Sequence, residues 1–264
     1  MIKLNRILFI IIPIFIACSV KSDTNVSTEN NELKKKLNKG ITLFESKKYT
    51  RSLDEFNSII LNDRGSELGV EARFYQAESN FELEQYNEAI SSYEKFMHYS
   101  SDLVKIEYVK FKICKSYFNL ASTYSRDQVN NEFAFTKLQY FIDEFPNSNF
   151  IDETEEMLHI LRERKAQKVY ETGRLYLKLK EYDSAIIYFN DVVENYYDTK
   201  FSDQARVSII FFYMLQGKSD EANSYYEINK DKFMDASVRT EAEEILFHYN
   251  DASFWIKNKI RLYK

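Results

Sequence analysis

Glycine and proline are scarce in this sequence, and their scarcity limits the fold. Only 5 glycines and 2 prolines occur among 264 residues, whereas the pair usually makes up about 12% of a protein. Turns that need positive φ must therefore be few, and the many tight corners of an all-β sandwich or barrel are ruled against. The glycines also lie too far apart to form a phosphate-binding loop. They are Gly40, Gly65, Gly69, Gly173 and Gly217.

An excess of positive charge is also lacking. The formal net charge is −5, with 36 basic and 41 acidic residues. The first 17 residues carry Lys3 and Arg6 and no acid, so without them 34 basic residues stand against 41 acidic ones, a net charge of −7. Nucleic-acid binding depends on neutralising phosphates, and an acidic chain without a basic stripe is a poor candidate for it.

Side chains for catalysis and metal binding are few. The three histidines, His98, His159 and His248, stand alone, and none has the spacing of a metal-ligand pair. The sequence contains no Ser/His/Asp order and no phosphate-binding motif. It therefore predicts a protein that is not an enzyme and that holds no metal or cofactor.

The first residues have the pattern of a lipoprotein signal. Two positive charges in Met1–Arg6 precede the ten-residue run Ile7–Ile16, which is apolar apart from its proline. This run is too short for a membrane span, which needs about 20 apolar residues, and has the proportions of a signal-peptide core. Phe15-Ile16-Ala17-Cys18 then resembles the lipobox of bacterial lipoproteins, although Leu is preferred where Phe15 stands. We expect a signal peptide over 1–17 and lipidation of Cys18; an ordinary secretory signal with a chance cysteine is the alternative.

The residues after Cys18 predict a tether and a destination. Ser19 follows the cysteine, and the Gram-negative sorting rule sends a lipoprotein without Asp at that position to the outer membrane. Residues 18–31 lack periodicity and are rich in Ser, Thr and Asn, which predicts a flexible tether. The body would then lie at the membrane, facing the periplasm. Cys114 is the other cysteine, so no disulfide can form within the mature chain, and we expect it to be a buried small hydrophobe.

The rest of the chain contains an internal repeat. One phrase occurs three times, with a small residue one turn before a ring. The helical spacing of its apolar positions predicts helices that approach closely at the small residue. Gly40, Gly173 and Tyr176 stand where tetratricopeptide repeats have their first-helix Gly and Tyr, and the distance from Tyr49 to Tyr86 is 37 residues, against about 34 for that repeat. The three copies are Lys48-Tyr49-x-x-Ser52-Leu53-x-x-Phe56-x-x-Ile59, Gln85-Tyr86-x-x-Ala89-Ile90-x-x-Tyr93-x-x-Phe96 and Glu181-Tyr182-x-x-Ala185-Ile186-x-x-Phe189-x-x-Val192.

Two weaker copies complete the array. They place the small positions at Ser52, Ala89, Ala134, Ala185 and Ala222, with spacings of 37, 45, 51 and 37. The excess in the second spacing predicts a loop over Ser122–Asn131, and the excess in the third predicts one long helix over about Asp152–Lys180. The predicted fold is all-α, a right-handed superhelical solenoid of about five tetratricopeptide-like helix pairs, with an irregular helical bundle as the alternative. Repeats one to three occupy 32–146, repeats four and five 147–233, and a cap helix with a basic tail 234–264.

Three local motifs give this array a closer resemblance. Arg126, Asp127 and Gln128 stand in the enlarged loop of repeat three, Phe145–Phe150 reads Phe-Pro-Asn-Ser-Asn-Phe, and Glu194–Thr199 reads Glu-Asn-Tyr-Tyr-Asp-Thr. With the lipobox and tether, the stretch from Cys18 to about Phe233 resembles the BamD family, the lipoprotein subunit of the machine that inserts β-barrel proteins into bacterial outer membranes. Each motif also has a plainer interpretation, as an exposed ion pair or as ordinary punctuation between helices.

The resemblance implies a scaffold with two binding surfaces. Unfolded barrel clients would meet the N-terminal repeats, over Lys34–Tyr99. The barrel-forming subunit and the accessory lipoproteins would dock on the C-terminal repeats, over about Glu155–Phe233. Stacked helix pairs line a groove with their first helices, and each candidate groove residue is alternatively a core residue. The groove candidates are Leu37, Ile41, Phe44, Phe74, Glu78 and Phe81, and the docking candidates, expected to be exposed, are Asp203, Arg206, Tyr213 and Gln216.

Other assignments remain open from the sequence alone. A different tetratricopeptide adaptor lipoprotein of the cell envelope, pilotin-like or associated with the cell wall, would share the fold and the anchor. The basic amphipathic stretch Asp251–Lys264 suits a solenoid cap, a lipid contact or a partner site, and capping is the default expectation.

Overall fold

The computed structural model describes residues 23–62, 65–121 and 128–248. Every regular element within these ranges is helical, which confirms the all-α prediction for this part of the chain. The helices are α1 (Asp23–Glu45), α2 (Tyr49–Asn62), α3 (Glu67–Glu82), α4 (Tyr86–Tyr99), α5 (Leu103–Leu120), α6 (Gln128–Glu144), α7 (Ile151–Lys178), α8 (Tyr182–Asn195), α9 (Lys200–Leu215), α10 (Ser219–Asn229) and α11 (Ala236–His248), with a 3₁₀ turn at Lys230–Lys232.

These helices form two compact units. The first ends at Leu83, and within it α1 packs against α2 and α3, and α2 against α3. The second begins at Glu84, and within it each helix from α4 to α10 packs against the next, while α11 packs against α9 and α10. The division after Leu83 does not coincide with the boundary that the repeat pattern places after Pro146.

The predicted small positions lie where the helices meet. Helices α1–α2, α5–α6, α7–α8 and α9–α10 pack as pairs, and α3 and α4 hold the sequence positions of the remaining pair. All five small residues are fully buried, and these are Ser52, Ala89, Ala134, Ala185 and Ala222. The repeat register is therefore correct, and the chain is built from tetratricopeptide-like helix pairs.

Two glycines allow a ring to touch the backbone of the first helix of a pair. A Cβ on Gly40 would lie 2.5 Å from the Phe56 ring, and one on Gly173 would lie 2.8 Å from the Phe189 ring. Both distances are too short for real contacts, so these positions exclude every larger residue unless the ring moves. The rings belong to the repeat phrase, and the glycines stand at the first-helix glycine position of tetratricopeptide repeats.

The turns inside the pairs use positive φ, although the chain has little glycine. Lys47, Lys180 and Gly217 each stand two residues before a second helix, at φ values of 58°, 61° and 70°. Beside Lys47 the N–H groups of Lys47 and Lys48 donate to the carbonyls of Phe44 (2.8 Å) and Leu43 (2.9 Å), and the same two bonds recur at the other two turns. This is the Schellman ending of a helix. The sequence signals it only at Gly217, because lysine stands at the other two positions.

Two predicted irregular stretches are partly helical. The tether prediction for 18–31 is wrong from Asp23 onward, where α1 begins. A helix that is held by packing at Leu33 and Leu37 extends easily into a polar segment, because adding a residue to an existing helix costs far less than starting one. The loop prediction for Ser122–Asn131 is likewise wrong from Gln128, where α6 begins, and Asn131 is already buried.

The long middle helix has the predicted extent. Helix α7 runs over 28 residues from Ile151 to Lys178, against a prediction of about Asp152–Lys180. None of the described helices, including α7, combines the length and apolar character that crossing a membrane requires. The part of the predicted cap region that is described, Ala236–His248, is helical and buries Ala242 and Ile245.

Candidate partner-binding surfaces

The groove candidates of the first unit lie around an aromatic cluster. Leu37 is only 6% exposed and belongs to the core, so its prediction as a groove residue is wrong; it faces Phe56 and Ile59 across the helix pair. Ile41 packs against the same core. Glu78 is also buried, at 7% exposure. Phe44, Phe74 and Phe81 are partly exposed.

Tyr75 joins two of the predicted residues. Its ring centroid lies 5.6 Å from that of Phe44 and 5.4 Å from that of Phe74, both in edge-to-face contact, and it stacks on Phe56 at 5.6 Å. Tyr75 was missed as a site residue, although its place three residues after the buried Ala72 is the helical signal for it. The surface is therefore a ridge of partly buried rings, with a smaller apolar area than the six candidates predict.

The docking candidates on α9 divide into two kinds. Asp203 and Arg206 are 1% and 3% exposed, so the prediction that they are exposed docking residues is wrong. Tyr213 is partly exposed and Gln216 is exposed. Only these last two remain available to a partner.

Asp203 has a structural task instead. One carboxylate oxygen accepts hydrogen bonds from the backbone N–H groups of Met234 (2.8 Å) and Asp235 (2.9 Å), immediately before α11. The other oxygen accepts from the Arg206 guanidinium at 2.9 Å, and that guanidinium lies over the Phe233 ring. The pair holds the turn that leads into α11. The sequence could not reveal this, because the turn lies about thirty residues further along the chain.

The Glu194–Thr199 motif anchors the turn between α8 and α9 to α7. The Arg162 guanidinium donates to both carboxylate oxygens of Asp198, at 2.9 and 2.6 Å, and to the carbonyl of Asn195 at 3.1 Å. These hydrogen bonds hold the pKa of Asp198 below its ordinary value and raise the pKa of Arg162. Next along α7, Glu163 accepts the backbone N–H of Lys200 at 2.9 Å, at the start of α9.

The Phe145–Phe150 motif joins α6 to α7 in a similar way. The Ser148 hydroxyl accepts the Phe150 N–H at 3.2 Å, and the Phe150 carbonyl accepts the Thr154 hydroxyl at 2.7 Å. The ring of Phe150 stacks on Phe111 of α5, with centroids 4.4 Å apart. Both sequence motifs are thus joints between repeats, where side chains fix the angle at which a helix starts.

A cleft in the second unit was not predicted. It opens between α4, α5 and α6, with a volume of about 190 Å³. Its apolar residues are Met97, Ile113, Cys114, Tyr140 and Phe141, and its charged residues are Glu94, Lys110, Lys137 and Glu144. The cleft is lined by α5, the first helix of its pair, and by α4 and α6, which are second helices, and it includes none of the predicted groove or docking residues.

The cysteine thiol in this cleft has low reactivity. Cys114 is buried, its sulfur donates to the carbonyl of Lys137 at 3.3 Å, and burial raises the pKa of the thiol to about 12. A thiol with such a pKa carries almost no thiolate at neutral pH, which confirms the prediction of a buried small hydrophobe.

Several predicted site residues lie outside the described part of the chain. These are the lipidation site Cys18, the loop residues Arg126 and Asp127, the side chain of Gln128 and the stretch Asp251–Lys264. Among the described residues, no group of three or more His, Cys, Asp and Glu side chains is placed to hold a metal ion.

Comparison with known proteins gives the family. The sequence profile of the outer membrane lipoprotein family YfiO matches residues 30–228. The outer membrane protein assembly factor BamD of Rickettsia prowazekii (strain Madrid E) is 29% identical over 231 residues, covering 86% of this chain and 89% of the relative. The BamD of Buchnera aphidicola subsp. Acyrthosiphon pisum (strain APS) is 21% identical over 221 residues, covering 78% and 89%.

A third relative matches over a shorter stretch. The BamD of Caulobacter vibrioides (strain ATCC 19089 / CIP 103742 / CB 15) is 25% identical over 138 residues, covering 52% of this chain and 45% of the relative. The family match extends across both compact units, and it agrees with the resemblance seen in the motifs. The chain belongs to the YfiO family of outer membrane lipoproteins.

Proposed function

We propose that this protein is a lipoprotein scaffold of the β-barrel assembly machinery, taking part in the folding and insertion of β-barrel proteins into the outer membrane. The observation that carries the proposal is the family match over residues 30–228, together with three relatives that are all named outer membrane protein assembly factors. The helical repeats suit such a role, because stacked helix pairs present long surfaces to other proteins. The protein acts by binding and carries out no catalysis.

The lipid anchor is the second part of the proposal. Cys18, acylated after removal of residues 1–17, holds the body at the outer membrane on its periplasmic side. The support is the lipobox-like sequence at residues 15–18 and the family description as an outer membrane lipoprotein.

Two surfaces of the protein bind different partners. Unfolded barrel clients meet the aromatic ridge of the first unit, where Phe44, Tyr75 and Phe74 offer ring area that costs little side-chain entropy to order. The barrel-forming subunit and accessory lipoproteins dock on the second unit, at the end of α9. Because Asp203 and Arg206, nearer the start of α9, are buried, Tyr213 and Gln216 make the contact.

The scaffold role is tested by depleting the protein in its own bacterium. We expect the amount of folded barrel protein in the outer membrane to fall while the transcripts for those proteins persist, and the full-length protein to restore it. Unchanged levels of every barrel protein after depletion would contradict the role and favour a different envelope adaptor.

The docking surface is tested in the same background. Gln216→Lys should weaken capture of the barrel-forming subunit by the tagged full-length protein without lowering the thermal midpoint. Gln139→Lys, which makes the same change at an exposed glutamine of α6, is the matched control and should leave capture intact. Equal capture by both variants would remove α9 from the interface.

A further inference from the structure

The cleft between α4, α5 and α6 adjoins an exposed aromatic stripe. Phe133 and Tyr140 are 49% and 65% exposed, and they lie seven residues apart on α6 with Lys137 between them. This spacing places all three on one helix face, along about 10 Å. Large exposed rings beside a cleft that has both apolar and charged lining residues are typical of protein interfaces, where aromatic side chains are enriched.

Two charges of this surface have no ion-pair partner among the described side chains: Glu94 on the α4 side of the cleft, and Lys137 on the α6 side, within the aromatic stripe. The Lys137 ammonium lies over the rings of Phe133 (5.3 Å) and Tyr117 (5.9 Å). No carboxylate among the described side chains comes within ion-pairing distance of it, whereas the other rim lysine, Lys110, is paired with Glu144. The Lys137 ammonium is thus held against two ring faces, where it can pair with a carboxylate of a partner.

The size of the cleft decides what kind of group enters it. About 190 Å³ is smaller than the roughly 300–1,000 Å³ of small-molecule sites, and it suits one or two apolar side chains. The aromatic stripe of α6 runs along one side of the cleft. Grooves that bind a partner helix have such a side, and the helix contacts them with apolar side chains spaced one and two turns apart.

We propose that this cleft binds an acidic amphipathic helix of a partner protein. An apolar side chain of the helix enters between Met97, Ile113 and Phe141, and a Glu or Asp one turn away pairs with Lys137. The chain's own basic stretch Asp251–Lys264 has the wrong charge for Lys137. The surface shares no residue with either surface of the proposed function, and binding at it does not require that the protein act in barrel assembly.

Fluorescence anisotropy with the purified full-length protein tests this. The probe is a labelled, amidated peptide of about three helical turns, with leucines on one face and glutamates on the other. Its matched partner has lysine in place of each glutamate. We expect the glutamate peptide to bind more tightly than the lysine peptide. Lys137→Glu should weaken the glutamate peptide about tenfold and strengthen the lysine peptide.

Further variants separate binding from folding. Tyr140→Ala, at an exposed position, should weaken the glutamate peptide several-fold with no change in the thermal midpoint. Lys168→Glu, an exposed lysine of α7, is the charge control and should leave binding unchanged. The proposal is overturned if neither peptide binds, or if Lys137→Glu leaves the preference unaltered. It is equally overturned if sedimentation shows that the cleft is filled by a second copy, released by Tyr140→Ala.

Discussion

Single residues without a side chain fix how closely the helices of a pair approach. Gly173 lies against the Phe189 ring, so Gly173→Ala must push that ring aside. We expect a loss of about 1–3 kcal/mol in the free energy of unfolding from overpacking, partly offset by up to about 1 kcal/mol of better helix propensity. Urea denaturation measures the change.

Gly65 provides the control for this substitution. A Cβ there would meet no atom within 4 Å, so Gly65→Ala should leave stability unchanged or slightly higher. Equal effects of the two alanine substitutions would mean that the close approach at Gly173 is not a constraint.

A lysine in the left-handed backbone conformation lowers the free energy of unfolding, and glycine at the same position would not. Lys180 has a φ of 61° at the end of α7, where a side chain is disfavoured. Lys180→Gly should therefore raise the free energy of unfolding by up to about 1 kcal/mol. Lys178→Gly, at the last helical residue, should instead lower it, because glycine is a poor helix former. A loss of stability at both positions would contradict the turn geometry.

At the scale of helices, ion-paired joints hold neighbouring repeats together. Arg162 of α7 forms a salt bridge with Asp198 in the turn before α9, and both side chains are about one third exposed. Solvent screening limits such a pair to about 1 kcal/mol. Asp198→Asn should therefore lower the free energy of unfolding by about that amount at neutral pH. Asp191→Asn should cost less, because Asp191 only accepts a hydrogen bond from Asn195 on the same helix and an asparagine oxygen can still accept it.

The effect of Asp198 depends on pH in a defined direction. Its pKa in the folded protein lies below the ordinary value of 3.8. The carboxylate therefore stabilises the fold fully at pH values above that ordinary value, and its contribution disappears as the pH falls through the folded pKa. The stability gap between the wild type and Asp198→Asn should stay constant from neutral pH to about 5 and shrink below 4. A gap that grows on acidification would contradict the ion pair.

The elements show what the sequence can and cannot reveal. The small residues, the rings and the long helix α7 were predictable, because each follows from a spacing within one helix or between copies of one phrase. The burial of Asp203 and Arg206 was not, since it depends on the turn before α11, far along the chain. The cleft depends on three helices at once, although the spacing of Phe133, Lys137 and Tyr140 on α6 was a visible signal.

At the scale of the whole molecule, one residue is expected to decide where the protein is found. In the proposed function, attachment to the membrane rests on the acyl group at Cys18. Cys18→Ala should abolish fatty-acid labelling and move the protein out of the membrane fraction that resists a carbonate wash. Retention of the substituted protein in that fraction would point to a second attachment, with Asp251–Lys264 as the segment to examine.

A lipoprotein that works as part of the barrel-assembly machinery must be bound to the machinery in the envelope. The most direct measurement is purification of the tagged full-length protein from native envelopes in mild detergent, followed by identification of what accompanies it. We expect the barrel-forming subunit of the machinery to co-purify in a constant ratio. Recovery of the intact, lipidated protein with neither that subunit nor any barrel client would contradict this expectation.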